Sequence, residues 1–534
     1  MQTNKRSLGQ NLAFASADIF GGGSFNVINF LYVPFLTLVV GIPMWCVSII
    51  LLVSKLWDGF IDPFIGKVSD GKTPGKFGKR RYFMLIFAPI VLVGLVLLFF
   101  PWNLVTNSLP LKIVFVVLMY FLYATAQSFV LIPYYSHASE LTDDYAQRNK
   151  ANAIRLAFSV ASSMICVAVP GMIASPTKND GGVSYLVMAT IFGVIFCVAI
   201  LVTAIFSHER VVTPALKSKV SLREFFAPLK LKTYRQYLGM QMATSMGMAV
   251  MSSFFFIFCD FYIRRVTYQT VSLGQDLTRF PIATVAASLM FVAQIIALPM
   301  YLGILKKKSK RFAFTLGHAI WIGVALLMLL LPAETSVKQV GNTVTTATGA
   351  PDWLIMIFGL MLGLGIGGAV YVPHSSFGDV CNVGQLYFGK RTEGAFSGLT
   401  NFLNTTAQAI GLSLPSMLIA SAGYVETQYL TVSQYSTLLA NPNATFKGLS
   451  LSQYIVKIGQ NNVQLTPIVQ TDSAQLAIKL VFILLPIVIS IVAIAIASRY
   501  KLTKQMQQKV VDTLALDTDS QQYQTQRDEI LSQL

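Results

Sequence analysis

Apolar runs recur about twelve times along the 534-residue chain, each close to the roughly 20 residues a helix needs to cross a hydrocarbon core. They lie near 11–40, 44–68, 82–100, 111–136, 150–175, 184–206, 235–262, 282–305, 312–332, 353–373, 394–421 and 475–498. Backbone polar groups in lipid must satisfy one another, so segments of this length and composition fold as helices. The charge content agrees, because Asp, Glu, Lys and Arg make up only 12% of the chain, about half of what soluble domains carry. The reading is an all-α membrane protein of twelve transmembrane helices. The first run contains Asp18 and lacks a small-residue cleavage pattern, so it reads as a retained helix and not as a signal peptide.

A formal charge of +17 would suit a nucleic-acid partner, but the basic residues are clustered. Lys72, Lys76, Lys79, Arg80 and Arg81 follow the second run, Lys217 to Arg235 hold six more between the sixth and seventh, and Lys306 to Arg311 follow the eighth. All are even-to-odd connections, and the positive-inside rule then places them and both termini in the cytoplasm of a multi-pass protein. Membrane lipid, and no nucleic acid, is the partner this pattern implies. Five cysteines show no CxxC spacing, which argues for buried free thiols over a disulfide framework or a zinc site.

The stretch 207–233 reads as a cytoplasmic linker between a six-helix half over 1–206 and another over 234–498. The halves echo each other, since Gly78 to Phe83 and Lys308 to Phe314 both run from a basic cluster into an aromatic helix start. A six-plus-six repeat suits the major facilitator architecture, with a solute site between the halves. The segment 422–474, rich in Ser, Thr, Asn and Gln, is too long for a simple turn and reads as an extracellular cap, while 499–534 reads as a cytoplasmic helical tail.

Charges inside apolar runs are costly and therefore mark solute or ion paths. Asp58 and Asp62 stand four apart on one helix face, where like charges repel, so something positive must compensate them. A sodium ion, a proton or the neighbouring Lys55 can each do so. Asp18 can accept hydrogen bonds from solute hydroxyls, and Arg155 is its natural counter-charge or a second donor; a purely structural ion pair is the competing reading. Trp57, Tyr123, Tyr134 and Tyr135 can stack on a sugar ring or simply pack. His137, close in sequence to Glu140, Asp143 and Asp144, is expected at the surface in a hydrogen bond, with proton coupling as the alternative. The glycines over 363–368 suit close helix packing or a flexible gate, since no P-loop lysine follows. No nucleophile elbow or metal-ligand cluster appears either, so the chain does not read as an enzyme, and an ion gradient rather than ATP should supply energy.

The run from Trp57 through Asp58, Asp62 and Pro63 to Gly66, with Asp70 and the basic turn Gly75 to Arg80, resembles the glycoside-pentoside-hexuronide:cation symporter family of the major facilitator superfamily. The likeness continues through Ile132 to Tyr135, Glu140 to Tyr145, Arg148, Arg155, Pro373, Asp379 and Lys390 to Gly394. It implies cation-coupled uptake of a sugar (a glycoside, pentoside or hexuronide) across the plasma membrane, with Na⁺ or H⁺ as coupling ion and no other cofactor. By position it implies cation ligation by Asp58, Asp62 and Ser128, sugar contacts from Asp18, Arg155 and Tyr135, and a gating loop holding Lys390, Arg391 and Glu393. Leu131 stands where family members carry a polar sugar-site residue and Thr405 where a lysine can lie, so Gln127 and Asn401 or Asn404 become candidate replacements. A carrier of another amphiphile such as a lysolipid, and a non-transporting membrane sensor using 422–474, are the alternative functions.

Overall fold

The computed structural model describes residues 7–73, 75, 77–141, 145–174, 181–208, 226–263, 266–271, 274–279, 282–331, 336–340, 343–347, 351–389, 393–440, 445–451, 454–458, 462–467, 469–516 and 520–533. Its long helices are α1 with α2 (Leu8–Ala15 and Asp18–Pro34), α3 (Met44–Gly71), α4 (Arg81–Leu98), α5 (Leu109–Glu140), α6 (Tyr145–Ile173) and α7 (Val183–Phe206) in the first part. The second part supplies α8 (Lys232–Phe258), α9 (Ile282–Lys307), α10 (Lys310–Leu329), α11 (Asp352–Phe388) and α12 (Glu393–Ser421). Short α13 (Val432–Leu439) precedes the last long helix, α14 (Asp472–Ser498). Ten of the long segments have the length and composition to cross a membrane. The two that fall below that level are α6, apolar only over Ala157–Ile173, and α12, which carries Asn401, Asn404, Thr405, Thr406 and Gln408.

Packing follows a repeat. Within the first part α2 lies on α6 and α4 on α5 and α7; within the second, α9 and α10 lie on α11, and α8 on α14. Among the helix pairs that join the parts are α2 with α8, α3 with α12 and α6 with α9. Exchanging the two parts maps the α3–α12 contact onto the α6–α9 contact, as an internal repeat requires.

Small residues make the close approaches. A Cβ on Gly22 of α2 would meet the backbone of Ser159 in α6, while Ser162 Oγ donates to Ile19 O at 2.5 Å and Ser163 Oγ to Gly22 O at 3.1 Å. The glycines over 363–368 behave as packing residues: a Cβ on Gly367 would lie 2.7 Å from Ala297 in α9, and one on Gly365 2.8 Å from the Trp321 backbone in α10.

The first helix departs from the continuous span expected over 11–40. It breaks at Ser16 and Ala17, where Thr203 of α7 inserts: Thr203 Oγ1 accepts from Ala17 N at 2.9 Å and donates to Ala13 O at 2.7 Å. It then widens into a π-helical turn at Phe35–Val39. His137 also differs from expectation. It is buried, with Nε2 at 3.1 Å from Ser207 O and 3.0 Å from Ser207 Oγ, and its ring packs on Phe14, so it ties α5 to the end of α7. Asp143 and Asp144 lie outside the described residues, as do most of the expected linker, 209–225, and the side chain of Glu140.

Strands fill connections that the hydropathy pattern left as loops. Strands β1 (Val266–Val271), β2 (Gly274–Arg279), β3 (Ser336–Val340) and β4 (Thr343–Ala347) form one antiparallel sheet in the order β2-β1-β4-β3. Within 422–474, β5 (Gln428–Thr431), β8 (Tyr454–Ile458) and β9 (Asn462–Pro467) pair as β5-β9-β8, beside α13 and the small β6 (Thr445–Phe446) and β7 (Leu449–Ser450) hairpin. The segment thus has a core of its own, built on Leu449, Tyr454, Val463 and Leu465. The tail folds as α15 (Lys504–Leu514) and α16 (Gln521–Gln533) against α11. Gln507 and Lys310 both reach the Asp379 carboxylate, and Arg527 donates to the carbonyls of Leu386 and Tyr387. The five cysteines are free thiols, four of them buried.

Candidate functional site

Two polar clusters lie among α2, α3, α5 and α6. In α3, Lys55, Asp58 and Asp62 follow at i, i+3 and i+7, which puts all three on one face. Trp57 fixes that face toward α5, because its Nε1 donates to Thr125 Oγ1 at 3.0 Å and its ring stacks on Phe121 at 4.6 Å. Trp57 is therefore occupied by packing.

The compensation of the two acids is unequal. Lys55 Nζ sits 3.3 Å from Asp58 Oδ2 and 5.7 Å from the Phe25 ring of α2. Among the described residues no cation stands beside Asp62 at that range; its Oδ1 accepts from Ser128 Oγ at 2.5 Å. Asp58 Oδ1 is buried without a hydrogen-bond partner among the described residues. The Lys55 alternative therefore accounts for Asp58 and leaves Asp62, Ser128 and the free oxygen of Asp58 as a set of oxygen donors. Burying a carboxylate without a counter-charge is expensive, and a set of oxygens of this kind has the chemistry to take up a small cation.

The second cluster forms at the break in the first helix. Asp18 is the first residue of α2, where the helix dipole favours an acid. Its carboxylate folds over Gly21: a Cβ there would collide with Asp18 Oδ1. Arg155 Nε of α6 stands 3.5 Å from Asp18 Oδ2, and its guanidinium carbon is 5.2 Å from the centre of the Tyr135 ring. Tyr135 is 44% exposed, so much of its side chain stays available. By contrast, Tyr134 is buried with its hydroxyl on Phe14 O at 3.1 Å, and Tyr123 is buried in the core.

The clusters share their scaffold. Ser128 and Tyr135 lie seven residues apart on one face of α5, as Asp18 and Phe25 do on α2, which separates the two groups by about 10 Å along either helix. Between them Gln127 Nε2 donates to Ser24 Oγ at 3.1 Å, so Gln127 pins α5 to α2. Leu131 is buried with no polar function, and Asn404 Oδ1 is buried without a hydrogen-bond partner among the described residues. Lys390 and Arg391 lie outside the described residues; Glu393 opens α12, and its side chain is likewise not described. Sequence reasoning missed Thr203, Gly21 and Phe25. Only Gly21, in its run of three glycines, left a signal.

Residues 13–504 match the family described as MFS/sugar transport protein. The chain is similar to a glucuronide carrier protein homolog of Escherichia coli (strain K12), 23% identical over 79% of this chain and 85% of the relative. It is similar to an isoprimeverose transporter of Lactiplantibacillus pentosus, 23% identical over 78% and 81% of the two chains. It is also similar to the sodium-dependent lysophosphatidylcholine symporter 1 of Gallus gallus, 20% identical over 71% and 72%. In fold it matches the crystal structure of a POT family transporter in complex with a thioalcohol-conjugated peptide, with a TM-score of 0.58 at 12% identity over 92% of this chain and 96% of that one.

Proposed function

From the premise that the chain belongs to the MFS/sugar transport protein family, a family of multi-pass membrane transporters, we propose that it imports a sugar by cation-coupled symport with alternating access. The observation that carries the reading is the pairing of an oxygen-donor set at Asp58, Asp62 and Ser128 with an acid–arginine–aromatic cluster two helical turns away. Asp62, Ser128 and Asp58 Oδ1 take a monovalent cation, Na⁺ or H⁺. Asp18 accepts hydrogen bonds from vicinal hydroxyls, Arg155 donates to ring or carboxylate oxygens, and Tyr135 offers a stacking face. Gln127 holds the helix pair that carries both groups, and Lys390, Arg391 and Glu393 belong to a gating loop.

The protein lies in the plasma membrane with both termini in the cytoplasm. Residues 1–206 and 234–498 form the moving halves, 207–233 the linker and 499–534 a cytoplasmic tail, while 422–474 faces the exterior. The relatives that carry a glucuronide or isoprimeverose by name support the sugar class. The lysophosphatidylcholine relative favours a second reading, a lipid carrier, for which the Asp18–Arg155 cluster would be dispensable.

Because a cation and solute that bind one conformational cycle together must strengthen each other by the same factor, the test is reciprocal. Purified protein in vesicles is offered labelled glycosides, pentosides, hexuronides and lysophosphatidylcholine under imposed Na⁺ or H⁺ gradients. Accumulation of one sugar against its gradient, lost in Asp62→Asn while downhill exchange persists, is the expected result. Sugar accumulation by Asp62→Asn at the parental level, or transport of the lysolipid alone, refutes the proposal.

A further inference from the structure

The last carbonyls of a helix have no partner within it and must find one elsewhere or stay in water. At the end of the first helix, four such groups in a row, those of Thr37, Leu38, Val39 and Val40, are each claimed from outside. Thr427 N donates to Thr37 O at 3.2 Å and Thr427 Oγ1 to Leu38 O at 2.7 Å. Tyr429 Oη donates to Val39 O, and Lys112 Nζ, from the first turn of α5, donates to Val40 O at 3.0 Å. The Lys112 ammonium also lies 4.4 Å from the Tyr429 ring centre, a cation–π contact. Gly41 follows with φ at +74°, and a Cβ on it would stand 2.7 Å from Thr427 O and 2.8 Å from the Tyr429 ring. The fit is therefore built on both sides.

The Thr427 and Tyr429 bonds join opposite parts of the protein. Thr427 and Tyr429 belong to the segment between α12 and α14, and its base is tied there: Gln470 bonds Val425 through N and O at 2.7 and 2.8 Å, and Ser473 Oγ donates to Ala422 O at 2.8 Å. Thr37 to Gly41 and Lys112 belong to the first part. Beneath the junction the helices are also shut, because Phe30 of α2 packs edge-on against Phe255 and Phe256 of α8 and Phe291 of α9 at 5.7 to 6.5 Å.

We propose that the segment 422–474 is a latch, rooted in the second half, that clasps the end of the first helix and holds the exterior of the transporter closed. This rests on the alternating-access reading above. Opening the exterior breaks the Thr427 and Tyr429 bonds together with the Lys112–Tyr429 ring contact, and exposes the carbonyls of Thr37 to Val39 to water, while Lys112 keeps its bond to Val40 O. The latch thereby sets the fraction of protein that can receive solute from outside, and the apparent affinity for external solute scales with that fraction.

The experiment has two arms. In the first, Thr427→Val with Tyr429→Phe removes two side-chain donors while leaving the base bonds of the cap intact. Phe291→Cys serves as a reporter of the shielded aromatic layer, with Phe30→Cys as a second reporter should the first fail to fold. Two neutral hydrogen bonds of ordinary net strength correspond to about a tenfold shift in the open fraction. An impermeant maleimide applied from outside should therefore label the reporter about tenfold faster in the loosened variant than in the reporter alone. In the second arm, Thr37→Cys with Thr427→Cys is oxidised to a disulfide and should lose uptake about tenfold or more, with recovery on reduction. Unchanged labelling in the first arm, or parental uptake by the fully oxidised pair, overturns the latch. Labelling needs no solute, so a parent that carries no sugar refutes the function proposed above while the first arm still decides the latch.

Discussion

Asp18 and Arg155 invite a double-mutant cycle, because a structural ion pair and a solute-binding pair behave oppositely when both charges are removed. At 3.5 Å and an effective dielectric constant of about 20, the attraction is about 5 kcal/mol before desolvation. Both side chains are largely shielded, Asp18 at 4% exposure and Arg155 at 19%. Removing one partner strands the other, which costs about 3–5 kcal/mol, whereas removing both relieves much of that loss. Asp18→Asn and Arg155→Gln should each destabilise by about 3 kcal/mol, and the double variant by about 2–3 kcal/mol less than their sum. Unfolding can be followed with a thiol-reactive dye, since Cys46, Cys166, Cys259 and Cys381 are buried in the folded chain. Uptake is measured on the same three proteins. A double variant that regains stability but stays inactive identifies both residues as solute contacts. Regained uptake would reduce the pair to a strut, and a coupling below about 0.5 kcal/mol would refute the electrostatic argument itself.

Ser128→Ala removes one oxygen ligand of the proposed cation set, so with Na⁺ as the coupling ion its apparent affinity should fall about tenfold, the equivalent of about 1.4 kcal/mol, read from uptake against Na⁺ concentration. Lys55→Met should destabilise the protein by about 3 kcal/mol by stranding Asp58, and Asp58→Asn in the same chain should restore most of it; failure of that rescue in the dye assay would count against the Lys55–Asp58 pairing. Gly22→Ala forces a methyl into the Ser159 backbone and should cost about 1–3 kcal/mol by the same measurement, with Gly303→Ala, which has open space around it, as the neutral control.

Much of the fold was legible because a membrane leaves few options: the apolar runs fixed the helices, and the charges within them marked Asp18, Asp58, Asp62 and Arg155 in advance. What could not be read depends on partners distant in sequence. The break at Ser16 and Ala17 carries no proline or glycine, since its cause is Thr203, 186 residues away along the chain from Ala17. The acidic sequence neighbours of His137 point to a surface position, yet its partner is Ser207. Periodicity puts Lys55 beside both acids, and only the Ser128 hydroxyl decides which of them it serves. The strands at 266–279 and 336–347 were in principle visible as short β-branched runs, but hydropathy averaged over a membrane span smooths them away.

The interruptions that bound α2, at Ser16–Ala17 and at Phe35–Val39, leave Asp18–Pro34 as one continuous helical rod between two breaks. Asp18 and Phe30 sit near opposite tips, about 18 Å apart along its axis. A tilt of only about 10° about the midpoint carries each tip roughly 1.5 Å, in opposite directions, by the geometry of a rod of that length. The acid that meets Arg155 and the ring wedged among Phe255, Phe256 and Phe291 therefore sit on the two arms of one helix, so any rigid tilt of α2 would move both contacts at once and in opposite senses.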